Sequence, residues 1–293
     1  MWVLAGGDPI RVLGPALALA RSSSPAPEEP SSWPTLHVLV DSPNGEAGTV
    51  ARRATQFASP PEVWAVQGRG LAPAVPAPLP AVPPLDPRVA PFLDRLVAAG
   101  ADPVVEHGRL VGEVLGLEVA RVEIGDDGPY LAVGVGRFDR EAHAIVSADV
   151  EPEETLRRVV EQVRRHREDG AEPHPLGRLA AARRLRARLL AEPGLVGADH
   201  LAPCPNLIEP PDLRTPWPAP ASGTAADGSP VVVVCSVGID LDLVPGAADI
   251  RLAADLDLGV DHQLVLALPA RDAHAVTVGL AGALARPARI ARV

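Results

Sequence analysis

Lysine is absent from this chain, and aromatic residues and cysteine are scarce. All 27 basic residues are arginine, which excludes a phosphate-binding loop of the GxxxxGK[ST] type. Aromatic residues make up only 3% of the chain, so the core must be built from Val, Leu and Ala. The two cysteines, Cys204 and Cys235, are too few for a disulfide framework and favour a reducing compartment.

Membrane and motif signals are also missing. No apolar run approaches the ~20 residues that a membrane-spanning helix needs. The first 20 residues contain Asp8 and Arg11 and lack a basic leader, so we expect no signal peptide. These features predict a soluble, cytoplasmic protein with no membrane partner. No GxGxxG follows a predicted strand, and CxxC, HExxH and GxSxG are absent, so the sequence shows no diagnostic catalytic motif.

What remains is an apolar, acidic chain of globular composition. With 293 residues and 47% hydrophobic content, it is long enough for one large domain or two ordinary ones. The formal net charge of -10 opposes loose attraction to nucleic acid, so nucleic acid is not a favoured partner. The sequence does not indicate an oligomeric state.

The two ends of the chain share a β-α-β-α-β pattern of short apolar runs separated by helix-length stretches. These runs lie at residues 2–4, 36–40, 63–66, 231–237, 264–268 and 288–293. Such alternation predicts an α/β fold with a mostly parallel, Rossmann-like sheet. Two arrangements fit this pattern: the two ends form a single six-stranded sheet, or the two ends and the middle of the chain are three separate small domains. Because one joined sheet would be covered on both faces, we expect the first.

Proline-rich stretches divide the chain into five segments. These are an N-terminal half-sheet at 1–70, a connector at 71–91, a central α+β module at 92–200, a connector at 201–230 and a C-terminal half-sheet at 231–293. Both connectors should be extended and lie on the surface.

The central module carries both helix and hairpin signals. Helices are expected at 91–99, 103–115, 151–167 and 176–190, the first two because proline begins them. Gly125-Asp126-Asp127-Gly128 predicts the turn of a hairpin with strands at 117–124 and 130–137. Centring that turn pairs Val122 with Leu131 and Glu118 with Val135.

Oxygen-bearing side chains follow two of the predicted strands. Asp41 and Asn44 come after one, and Asp240 and Asp242 come after another. If the strands are parallel, these side chains share one sheet edge and would bind a divalent cation, Mg²⁺ or Mn²⁺. That arrangement predicts a hydrolase acting on a phosphoester. The alternative is that Asp8, Asp41 and Asp240 cap helices or tie turns.

A second set of charged side chains lies in the central module. On the predicted helix, Glu106, Arg109 and Glu113 share a face, because residues three and four apart are neighbours. The expected acid–base residues are His107, Glu113 and Glu118, and the expected anion-binding residues are Arg109, Arg121, Arg137 and Arg140. The alternative is a set of surface ion pairs, each worth little.

A third cluster is basic, with eight arginines between residues 164 and 188. The predicted helix at 176–190 would present Arg183, Arg184, Arg186 and Arg188 to an acidic partner or to phosphates. Because leucines recur on the same helix, the arginines would otherwise form its solvated face.

Three functional hypotheses follow. The first is binding of a phosphate- or carboxylate-bearing ligand in a crevice between the sheet edge and the central module. The second is a metal-dependent phosphodiesterase or nuclease that uses Asp41, Asn44, Asp240 and Asp242. The third is a non-catalytic scaffold protein whose arginine-rich helix docks an acidic partner. The architecture and the arginine clusters favour the first.

Overall fold

The computed structural model describes residues 1–4, 6, 8–23, 35–41, 44–137, 139–141 and 151–293. The strands are β1 Trp2–Leu4, β2 His37–Val40, β3 Glu62–Gln67, β4 Gly70–Pro73, β5 Asp102–Glu106, β6 Arg109–Val114, β7 Leu117–Gly125, β8 Gly128–Val133, β9 Ala198–Pro203, β10 Ala219–Ala225, β11 Pro230–Cys235, β12 Gln263–Leu268 and β13 Arg289–Arg292. The α-helices are α1 Leu13–Ser23, α2 Glu46–Ala54, α3 Pro91–Ala98, α4 Pro152–Arg167, α5 Pro175–Arg178, α6 Ala181–Ala191, α7 Leu243–Leu258 and α8 Ala275–Gly282. The mixed α/β class predicted from the sequence is confirmed.

The chain folds into two compact units. Unit 1 consists of Met1–Pro80, Asp227–Val234 and Gly238–Val293, and unit 2 consists of Ala81–Ala226 and Cys235–Val237. Both ends of the chain therefore belong to unit 1. Among the described residues, no helix combines the length and the apolar content that crossing a bilayer requires.

Unit 1 holds the six predicted strands, but they lie in two sheets and not in one. β1, β2 and β3 pair in parallel, with Val38 opposite both Val3 and Val63. β12 and β13 also pair in parallel, in a second sheet that contains β11. β4 turns back antiparallel to β3 and lies at one edge of the first sheet. A mostly parallel, Rossmann-like sheet is therefore not confirmed.

The sheet of β1 to β4 leaves apolar side chains of β1 exposed, contrary to the expectation that both its faces are covered. Trp2 is 55% exposed and Leu4 is 63% exposed. The indole ring of Trp2 stacks on the imidazole ring of His37, with 4.0 Å between ring centroids. Stacking covers only one side of that indole.

Unit 2 is built on an antiparallel meander of β5, β6, β7 and β8 in chain order. The predicted hairpin is present, and Val122 lies opposite Leu131 as expected. The pairing of Glu118 with Val135 is wrong, because β8 ends at Val133 and Glu118 lies opposite Glu113 beside a bulge.

The predicted helix at 103–115 is wrong: this segment forms β5 and β6. The two strands are joined by His107 and Gly108, whose φ angles of 51° and 71° are both positive. Two such residues in succession make the type I′ turn, whose twist matches that of a hairpin. The β-branched valines 104, 105, 111 and 114 favour the strand state.

The meander packs its apolar face against α3 and α4. Leu96 of α3, Leu156 of α4, and Leu110 and Leu117 of the sheet have no exposed surface in this core. Proline begins α3, as predicted, and proline also begins α4, which was predicted from its terminal charges. Because side chains alternate across a strand, the residues between the buried leucines point to the opposite face of the sheet.

The predicted helix at 176–190 is two helices, α5 and α6, with a break at Ala180, whose φ is 46°. The guanidinium of Arg167 donates to the carbonyl oxygens of Leu176 at 2.6 Å, Leu179 at 2.8 Å and Leu115 at 2.9 Å. This buried arginine satisfies carbonyl groups that the break leaves without helical partners.

Candidate functional site

A cavity of about 720 Å³ opens on the charged face of the meander in unit 2. Its volume is within the range typical of small-molecule sites. The charged residues in its wall are Arg109, Arg121, Arg137, Arg140, Arg183, Arg214, Glu106, Glu118, Glu209 and Asp212. Six guanidinium groups thus face four carboxylates, and the wall carries a net positive charge in a chain that is acidic as a whole.

Strand alternation directs the charged side chains of β5 and β6 to this face. Glu106 lies opposite Arg109 in the ladder, and residues 109, 111 and 113 of β6 point to the same side. Leu110 and Val114, at the intervening positions, are in the apolar core. Glu106, Arg109 and Glu113 therefore do share a face, as predicted, but on strands and not on a helix.

Arg186 of α6 lies at the centre of a buried ion-pair network. Its side chain is only 1% exposed. Its Nη1 donates to Glu106 Oε1 at 2.9 Å, and its Nη2 lies 3.0 Å from both carboxylate oxygens of Glu113. Arg183 precedes Arg186 by three residues on α6, so the two side chains are neighbours on the helix surface. Arg183 pairs with Glu106 and lies 3.5 Å from Glu113. Two arginines thus balance two carboxylates beneath the cavity.

The two buried carboxylates of this network respond differently to their surroundings. Burial acts to raise the pKa of Glu106, but the positive charges of Arg183 and Arg186 outweigh it and lower that pKa. Burial also raises the pKa of Glu113, and the same guanidinium groups offset this only in part. Glu106 is therefore the more firmly ionised of the two.

Glu118 receives two arginines. Arg121 binds it through two parallel hydrogen bonds, of 2.9 and 3.0 Å. Arg140 donates to Oε1 of the same carboxylate at 3.0 Å. One negative charge therefore faces two positive charges, which leaves an excess of one positive charge at this wall.

A second group in the wall combines Arg109, Glu209 and His107. Arg109 Nη2 lies 2.5 Å from Glu209 Oε1. His107 belongs to the type I′ turn, and its Nε2 atom is buried without a hydrogen-bond partner among the described residues. An unsatisfied buried nitrogen of this kind calls for an explanation, and His107 lines the cavity.

The structure brings most of the predicted central residues together. His107, Glu118, Arg109, Arg121, Arg137 and Arg140 all line the cavity. Glu113 lies beneath it and is held by Arg186. Arg137, at the mouth, pairs with Glu141 at 3.0 Å.

Sequence analysis did not identify Arg183, Arg186, Glu209 or Arg214 as members of the site. Arg183 and Arg186 were assigned to a solvated or partner-facing surface, yet Arg186 is almost fully buried. A usable signal is the spacing of Ala182, Arg186 and Leu189, which places an arginine on the buried face of α6. Glu209 and Arg214 lie in the stretch predicted to be a mere connector.

The predicted metal ligands of unit 1 take part in ion pairs and turns. Asp242 accepts hydrogen bonds from Arg53 at 2.9 Å and from the backbone N–H of Gly14 at 3.0 Å. Asp240 pairs with Arg11 at 2.8 Å. Asp41 and Asn44 are exposed. In the part of the chain that the structure describes, no three His, Cys, Asp or Glu residues are grouped so that they could hold a metal ion.

Capping, the alternative role for these carboxylates, is directly visible at two positions. Asp8 Oδ1 accepts the backbone N–H of Ile10 at the start of a 3-10 helix, at 3.1 Å. Asp240 Oδ1 accepts the backbone N–H of Asp242 at 2.9 Å. Both carboxylates satisfy nearby amides, as capping and turn residues do.

The two cysteines of the chain are free thiols. Burial raises the pKa of Cys204 and that of Cys235 to about 12. Both thiols therefore stay protonated at neutral pH, and neither is an activated nucleophile.

Comparison of the chain with protein-family models, with curated proteins and with solved structures finds no match. The chemistry of this cavity is therefore inferred from its own residues.

Proposed function

We propose that unit 2 binds a small, multiply charged anion, bearing phosphate or carboxylate groups, in the arginine-lined cavity. The observation that carries this proposal is the pair of guanidinium groups, Arg121 and Arg140, on the single carboxylate of Glu118. Their excess positive charge faces a concave, partly desolvated space. An anionic group there would complete the charge balance and accept charge-assisted hydrogen bonds.

The geometry supports binding more strongly than acid–base catalysis. Glu113 accepts hydrogen bonds from Arg186 below the cavity, and Glu118 accepts hydrogen bonds from Arg121 and Arg140. A general base needs a free lone pair within hydrogen-bond reach of the reacting group. His107 is the predicted acid–base residue whose ring nitrogen is left without a partner among the described side chains. Phosphoester hydrolysis remains a prediction from the sequence.

Cavity size limits the class of ligand. A volume of about 720 Å³ is far larger than a single inorganic ion requires and suits a molecule of the size of a nucleotide or a phosphorylated metabolite. Cationic groups occur at two places in the wall, with Arg121 and Arg140 on Glu118 and Arg109 on Glu209. A ligand with two separated anionic groups would engage both.

The test is isothermal titration calorimetry of the whole chain with inorganic phosphate, pyrophosphate, citrate and ADP. Arg140→Gln removes the excess charge while Arg121 remains paired with Glu118. Because a hydrogen bond to a charged group contributes about 1.5–3 kcal/mol, the dissociation constant should rise by roughly 10- to 100-fold.

Arg158→Gln is the matched control, because it removes the same charge from an exposed i,i+4 pair with Glu154 on α4. It should leave the dissociation constant unchanged. Binding that weakens equally in both variants would show only a general charge effect, and the absence of binding by any of the four anions would contradict the proposal.

A further inference from the structure

Residues 204–218 form a closed loop between β9 and β10, which we call the strap. Its two ends meet where the backbone N–H of Cys204 donates to the carbonyl of Pro220 at 3.3 Å. Asn206 Nδ2 donates to the carbonyl of Pro218 at 2.7 Å, and Trp217 Nε1 donates to that of Ile208 at 3.0 Å. These bonds between its two arms make the strap a compact loop of the Ω type.

The tip of the strap is anchored beside the cavity. Its Leu213 carbonyl accepts the backbone N–H of Ala180, at the start of α6, at 2.8 Å. Asp212 Oδ1 accepts the backbone N–H groups of Arg214 and Thr215, each at 2.6 Å. The strap therefore has a defined position on the wall, and Glu209 is held facing Arg109.

Glu209 pairs with Arg109, one of the cationic groups that an anionic ligand would use. Its carboxylate lies 2.5 Å from Arg109 Nη2. Burial opposes ionisation, but the hydrogen bond and charge of Arg109, with smaller contributions from His107 and Arg121, lower the pKa of Glu209. The carboxylate is therefore a permanent anion at neutral pH. It interacts with the same three residues that an anionic ligand group would meet on this wall.

The pair is poised to open. Side-chain exposure is 39% for Arg109 and 52% for Glu209, whereas the Arg186 network below is almost fully buried. A half-exposed ion pair contributes little to stability, so its opening is inexpensive. By contrast, the carboxylates of Glu106 and Glu113 would remain buried if they left Arg186, and they would then share the single guanidinium group of Arg183.

We infer that Glu209 is a built-in competitor for the anion site, which holds Arg109 in the ligand-free protein and releases it when a ligand group binds there. The inference rests on the proposed function. The competitor role has a consequence for selectivity. An anion with one charged group would bind only to Arg121 and Arg140. An anion with two charged groups would also bind to Arg109, and this second interaction would offset the free energy needed to displace Glu209. The preferred ligand class is then a di-anionic molecule, such as a diphosphate or a dicarboxylate.

The test is a double-mutant cycle on the whole chain, with pyrophosphate and citrate as the probes in isothermal titration calorimetry. Glu209→Gln should tighten binding by roughly two- to fivefold, the range expected for releasing a half-exposed ion pair. In an Arg109→Gln background the same substitution should change the dissociation constant by less than about 1.5-fold, because the group that Glu209 blocks is already gone.

Glu154→Gln is the control, since it also removes one negative charge from an exposed Glu–Arg pair of unit 2 but lies on α4. The Glu154→Gln variant should bind pyrophosphate and citrate with the same dissociation constants as the wild type. Unchanged or weaker binding by Glu209→Gln, while the wild type binds, would overturn the competitor role and leave the proposed function standing. If neither probe binds the wild type or any variant, this inference fails, and the proposed function fails with it only if inorganic phosphate and ADP also do not bind.

Discussion

Replacement of Arg186 by methionine is the sharpest test of how unit 2 is held together. Methionine fills much of the same space but removes the positive charge and three hydrogen bonds, to Glu106 and to both oxygens of Glu113. The two carboxylates would stay buried on the sheet, with Arg183 as their remaining cationic neighbour.

The expected loss follows from leaving buried charge uncompensated. Removing one partner of a buried ion pair costs about 3–5 kcal/mol. Because Arg183 still contacts both carboxylates, we expect the lower end, about 3 kcal/mol. For a unit of this size, that loss lowers the melting temperature by roughly 6–12 °C. The double variant Glu113→Gln with Arg186→Met should recover about 1–2 kcal/mol, since a neutral amide costs less to bury than a carboxylate.

Urea denaturation followed by circular dichroism measures the free energy of unfolding for the wild type and for each variant. Arg158→Met is the control, because its exposed pair with Glu154 should contribute less than about 1 kcal/mol. A loss below 1 kcal/mol in Arg186→Met, or a double variant no more stable than the single one, would refute the conclusion that uncompensated charge dominates.

Two further predictions concern burial and backbone geometry. Burial raises the folded-state pKa of Asp242 to about 7 from 3.8, so its contribution to stability is complete below about pH 4 and is lost as pH rises through 7. The free energy of unfolding of Asp242→Asn minus that of the wild type should therefore increase between pH 4 and 7 and level off above it; a constant difference would contradict this. Gly116→Ala would place a Cβ 2.2 Å from the Arg183 carbonyl oxygen at a φ of +76°. It should cost at least about 3 kcal/mol in urea denaturation, against about 1 kcal/mol for Gly170→Ala, whose φ is +85° and whose Cβ meets nothing within 4 Å. Equal losses in the two glycine variants would exclude the steric contact as the cause.

Six strands of unit 1 and the β7–β8 hairpin of unit 2 were predictable from local signals alone. Short runs of Val and Leu between helix-length stretches mark β1, β2, β3, β11, β12 and β13, all six of which are present. The Gly-Asp-Asp-Gly turn sets the pairing of Val122 with Leu131. In each case one local pattern is strong enough to exclude the alternative.

The segment at 103–115 was not predictable in the same way. Proline at its start and charged residues three and four apart suit a helix, whereas its valines suit a strand. The positive φ angles of His107 and Gly108 decide for a hairpin, because they let β5 and β6 pair and bury Leu110 against α3 and α4. The spacing of Glu106, Arg109 and Glu113 favoured a helix, but the turn at His107 and Gly108 is the stronger determinant of this segment.

Composition and local patterns are enough to predict the mixed α/β class, the apolar core with few aromatics, and the residue types of the proposed anion site in the central segment. Only tertiary contacts separate the strands of the two ends into two sheets, because strand pairing joins segments that are distant in sequence. The tertiary structure also decided that Arg183 and Arg186 face inward, since α6 packs over carboxylates that strand alternation places on one side of β5 and β6. The spacing of Ala182, Arg186 and Leu189 marks the buried face of α6, but the carboxylates that Arg186 meets there belong to a distant segment, so the local pattern does not identify them.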